Sequence, residues 1–97
     1  MEVKIKAIHF EISERLTEFI NKKAEKLAKR NPAISEFEFS LKVVKPETSL
    51  NKEAIVKVIV PQQEDIVASK VADTFEEAVD VALEAIDKQL ERKKHSK

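Results

Sequence analysis

Ninety-seven residues make a single domain (residues 1–97), and 18 lysines and arginines against 18 aspartates and glutamates leave no net charge. Cysteine is absent, which excludes a disulfide framework and thiolate chemistry, and glycine is absent, which excludes the P-loop and the dinucleotide fingerprint. No basic start runs into an apolar leader segment and no stretch approaches the length of a membrane span, so the chain is expected in the cytoplasm with no membrane partner.

Residues 2–10 alternate, with Val3, Ile5 and Ala7 on one side and Lys4 and Lys6 on the other, which predicts a half-buried strand. Ser13 then precedes a helical pattern in which Leu16, Phe19, Ile20, Ala24 and Leu27 share a face. Asn31-Pro32 ends that helix, because a residue before proline is pushed out of the α region. Residues 36–44 alternate again, with Phe37, Phe39, Leu41 and Val43 on one face. A polar turn follows, and residues 54–60 form a β-branched run that ends at Pro61. Residues 66–72 predict a fourth, weaker strand. Thr74-Phe75-Glu76-Glu77 is a capping box, and Asp73 adds a second anion where the helix dipole favours one. Phe75, Ala78, Val79, Ala82, Leu83, Ile86 and Leu90 then recur at helical spacing, so the second helix should reach about Lys93, leaving a basic tail over about 93–97. The order β-α-β-β-β-α predicts an α+β fold: a two-layer sandwich of one four-stranded sheet with two helices on one face. Strands two to four should form an antiparallel meander, with strand one beside one of them in an order left open.

The neutral total hides a segregation. Residues 61–87 hold eight acids against one base, whereas residues 88–97 hold five bases against one acid and residues 1–30 hold eight bases against five acids. On a helical wheel Lys22, Lys23, Lys26, Lys29, Arg30 and Arg15 fall on one flank of the first helix, and Glu14, Glu18 and Glu25 share its outermost face. Such sorting forgoes part of the i,i+4 pairing that a solvated helix ordinarily gains, about 0.2–0.5 kcal/mol per pair. On the second helix Asp80, Glu84, Asp87 and Glu91 form an acidic ridge, and Lys88 and Arg92 share a flank near its end, followed by Lys93 and Lys94. Acids early and bases late also complement the helix dipole, so the terminal run has a purely structural explanation as well. If the fold brings the two basic stretches together, they make a face suited to a polyanion.

Other chemistry is poorly supported. His9 has neither a nucleophile nor a metal partner in the pattern and reads as a strand-end residue, and His95 as solvated. The acids of the second helix lack the spacing of a cation-binding loop. Phe37, Phe39 and Phe75 read as core, and tryptophan and tyrosine are missing, which leaves no aromatic platform for base stacking. The expectation is a protein that is not an enzyme, with no catalytic residue, metal, cofactor or small-molecule substrate.

Two stretches, MEVKIKAIHFEISERLTEFINKKAEKL and ASKVADTFEEAVDVALEAIDKQLERKK, resemble the short ribosome hibernation promoting factors, a family also called ribosome-associated inhibitor A or sigma-54 modulation proteins. Asp87-Lys88-Gln89-Leu90 is the most specific piece, and the likeness covers essentially the whole chain. The resemblance implies the same β-α-β-β-β-α order, similar to double-stranded-RNA-binding domains, which read RNA largely by shape and backbone. It further implies a monomer that binds the small ribosomal subunit, alone or in the whole ribosome, in the channel of mRNA and tRNA. There it would occlude the A and P sites and silence translation in stressed or stationary cells.

Carried over residue by residue, the family's rRNA-binding positions fall on Lys23, Lys26 and Lys29 and on Lys88 and Arg92, with Lys93 and Lys94 adjacent; Lys22 and Arg30 complete the expected face. Such bases neutralise phosphates and set position without reading sequence. Ala85 stands where the family commonly carries a base, a loss for which Lys22, Arg30 or Lys94 would compensate. The likeness is to the short form, without the C-terminal domain that pairs ribosomes in long-form factors. Three readings compete with ribosome binding. A general structured-RNA binder of the same fold would prefer free duplex RNA. A protein-interaction module would use the acidic ridge. A small acylphosphatase-like hydrolase would need a different strand order and a phosphate loop.

Overall fold

The computed structural model describes residues 1–44 and 50–95, with side chains as far as Arg92. Its elements are β1 (Glu2–Ala7), α1 (Glu14–Arg30), β2 (Glu36–Val43), β3 (Lys52–Ile59), β4 (Ile66–Ala72) and α2 (Phe75–His95). The strands lie in the order β1-β2-β3-β4. β1 pairs parallel to β2, and the α1 crossover makes that pairing possible. β2, β3 and β4 form the expected antiparallel meander.

Alternation along the strands builds the two layers. Phe37, Phe39 and Leu41 of β2 and Ala54, Val56 and Val58 of β3 point to one face and are buried. They meet Leu16, Ile20, Ala24 and Leu27 of α1 and Ala78, Val79, Ala82, Leu83, Ile86 and Leu90 of α2 in one core. Burying a phenylalanine such as Phe37 fully contributes on the order of 2–3 kcal/mol relative to leaving it exposed. The opposite face carries cross-strand charges, among them Lys42 beside Glu53 at 4.0 Å and Lys4 beside Glu36 at 3.4 Å.

The helix ends follow their sequence signals. The Ser13 side chain accepts from the Leu16 amide at 3.1 Å and the Thr74 hydroxyl from the Glu77 amide at 3.1 Å. Asn31 caps α1: its amide donates to the carbonyls of Leu27 and Ala28, and its side-chain Nδ2 donates to the Leu27 carbonyl at 3.1 Å. Asp73 does more than face the dipole, since its Oδ1 accepts from the Leu50 amide at 2.7 Å and ties the start of β3 to the start of α2.

Several boundaries differ from expectation. β1 stops at Ala7, because the chain turns through His9 in the left-handed region at φ 64°. That turn takes Phe10 out of the strand and stacks it on Phe75 with ring centroids 4.9 Å apart, both rings partly buried against the core. β3 begins two residues earlier than expected, at Lys52. The backbone of α2 continues to His95 instead of giving way to a tail near Lys93. The turn after β2 lies in part outside the described residues, as do the side chains of Lys93, Lys94 and His95.

Candidate nucleic-acid interface

The two helices lie side by side on the sheet and run in the same direction. Lys23 Nζ is 2.8 Å from Asp80 Oδ1, and seven residues further along each helix Arg30 Nη2 is 3.2 Å from Asp87 Oδ2. Seven residues are about 10.5 Å of rise on each helix, so the contacts stay in step only for parallel axes. Arg30 also reaches Glu91 at 3.7 Å. Lys23 sits over the Phe19 ring as well, 5.5 Å from its centroid.

This seam explains part of the charge sorting on α1, at Lys23 and Arg30. The bases nearest α2 find their partners across the seam, on the acidic ridge, and not on their own helix. Asp80, Asp87 and Glu91 are therefore engaged with α1 and do not form a free acidic face. Of the expected rRNA-binding residues, Lys23 and Arg30 belong to this seam.

The remaining bases lie to either side of it. Lys22, Lys26 and Lys29 are exposed on the α1 side, and Lys88 and Arg92 on the α2 side; none of the five makes an ion pair among the described residues. Lys26 lines a narrow groove between the helices with Leu27, Leu83 and Glu84. Lys88 and Arg92 line a wider groove of about 320 Å³ on the far flank of α2, and Glu84 lines this one too. The two basic flanks thus share one helical layer, separated by a seam that is neutralised internally. Lys22 lies further round α1, in a hollow with Glu14, Arg15, Glu18 and Phe19.

One base escaped the helical pattern. Lys70 of β4 lines the wider groove beside Ala85, Lys88 and Arg92. It is the single base among residues 61–87, and its signal is a break in strand alternation: Ile66, Ala68 and Ala72 point inward and are buried, whereas Lys70, in register between Ala68 and Ala72, is exposed.

The model of the family described as sigma 54 modulation protein / S30EA ribosomal protein matches residues 3–97. The chain belongs to this family. No curated protein sequence matches it. Among solved structures, a ribosomal subunit interface protein from Coxiella burnetii is similar with a TM-score of 0.85 at 22% identity, covering 99% of this chain and 100% of that one. The N-terminal domain of Protein Y from Thermus thermophilus is similar with a TM-score of 0.78 at 17% identity, covering 95% of this chain and 98% of that domain. At these identities the structural likeness establishes the fold, and family membership rests on the sequence match. Among the described residues of this family member, no helix is long and apolar enough to cross a membrane.

Proposed function

We propose that this protein is a cytoplasmic, non-enzymatic translation inhibitor that binds the small ribosomal subunit in the mRNA and tRNA channel and keeps the A and P sites empty in idle cells. The observation that carries the reading is the set of exposed bases, Lys22, Lys26, Lys29, Lys88 and Arg92, that make no ion pair among the described residues and lie on one helical layer of a sigma 54 modulation / S30EA family member. The name of the Coxiella relative, a ribosomal subunit interface protein, supports placing this layer against the ribosome. Exposed lysines and arginines on such a layer neutralise backbone phosphates and position the protein without reading bases. Their mechanism is occlusion: the domain fills the channel and competes sterically with tRNA and mRNA.

Sedimentation with purified small subunits, combined with a tRNA competition, tests the reading. Co-migration with the small subunit and release of P-site tRNA in proportion to added protein are expected. A protein left at the top of the gradient even at low salt refutes it, and a preference for free duplex RNA points instead to a general RNA binder. Contact with six to ten phosphates would cost roughly three to five decades of affinity between 50 and 200 mM salt.

A further inference from the structure

We infer that Lys70, Lys88 and Arg92 form a seat for a backbone phosphate of RNA, in which the sheet supplies a charge that α2 does not carry at Ala85. The inference rests on the RNA-binding reading above and adds to it a residue outside both helices. The wider groove has Ala85 on its wall, with Lys88 and Arg92 one and two turns further along α2. Lys70 enters the same groove from β4. Strand alternation sends its side chain to the helix-bearing face, at the outer edge of the sheet where α2 leaves it uncovered. Three bases meet there with one acid, Glu84, and Lys70 makes no ion pair among the described residues. A base at an inward strand position, within a strongly acidic stretch and without an ion pair among the described residues, breaks the local pattern.

An inward charge on an edge strand also discourages edge-to-edge pairing, but a charge of either sign does that. A phosphate seat requires a cation. The two roles therefore separate on substitution by glutamate.

The test is binding of the labelled full-length protein to purified small subunits over a series of salt concentrations. Lys70→Gln and Lys70→Glu should fold and remain monomeric. Lys70→Gln should weaken binding by roughly three- to tenfold and lower the slope of log affinity against log salt by up to about 0.7–0.9, the share of one phosphate contact. Lys70→Glu should weaken it further. Ala85→Lys placed in the Lys70→Gln chain should restore most of the affinity and slope, whereas Val67→Lys, on the opposite face of β4, should not. Wild-type affinity and slope in Lys70→Gln, or equal rescue by Val67→Lys, overturns the seat while leaving the proposed function standing. Failure of the wild-type protein to bind small subunits overturns both.

Discussion

Lys23 and Asp80 meet at 2.8 Å across the helix seam, and the pairing repeats one heptad later as Arg30 with Asp87. The seam holds the two helices in register and decides which bases are left over. Those bases define the two flanks proposed to meet RNA.

The seam pairs are half-exposed, so each should contribute only about 0.2–1 kcal/mol. Asp87→Asn should lower the unfolding free energy in urea by less than about 1 kcal/mol. The same change removes an anion from the layer proposed to face RNA, so affinity for the small subunit should rise a few-fold at low salt. A fall in affinity would mean that pairing with Asp87 is what orients Arg30 for binding.

Both helices start on a hydroxyl cap. Ser13→Ala and Thr74→Ala should each cost about 1 kcal/mol. For a domain of this size that is a Tm lower by roughly 4–8 °C. A Tm unchanged within a degree in either variant would show that the cap is replaced by water.

The turn after β3 is built on Pro61 with Gln62 at φ 68°, closed by the Gln63 amide on the Val60 carbonyl at 3.1 Å. The left-handed position costs a non-glycine residue about 1–2 kcal/mol, and glycine returns part of that gain by loosening the unfolded chain. Gln62→Gly should therefore raise stability by roughly 0.5–1 kcal/mol, read as a higher urea midpoint at unchanged m. A lower midpoint would show that the Gln62 side chain contributes more than its backbone costs.

Lys4 gives a pH signature. The Glu36 carboxylate beside it, with help from Glu2 and Glu38, raises its pKa above the ordinary 10.5. A raised folded-state pKa stabilises the fold fully below the unfolded value, and the contribution is lost as pH climbs through the folded value. The Tm difference between the wild type and Lys4→Met should stay level through the neutral range and close in strongly alkaline solution. A difference that persists unchanged into strongly alkaline solution would contradict that coupling.

Much of this was legible in the chain itself. The strand period of Phe37, Phe39 and Leu41, the capping box at Thr74 and the Asn31-Pro32 stop are local signals, and local signals survive folding. The parallel pairing of β1 with β2 depends on how the α1 crossover packs, which no local pattern encodes. The early end of β1 was hidden because His9 adopts the left-handed region without the glycine that ordinarily announces it. Of the candidate site, the basic flanks were visible by helical spacing, but the partners of Lys23 and Arg30 sit some 57 residues away in sequence and emerge only when the helices dock. Lys70 was in plain sight as the one base in an acidic stretch, yet its place beside Ala85 follows from tertiary packing.

The most direct measurement is the affinity of the double charge reversal Lys26→Glu, Lys88→Glu for purified small ribosomal subunits at moderate salt, beside the wild type and with far-UV circular dichroism to verify the fold. These residues occupy the two flanks and make no ion pair among the described residues, so the fold should be unchanged while binding is lost. Wild-type affinity in a correctly folded double variant would contradict the assignment of this helical layer to the ribosome.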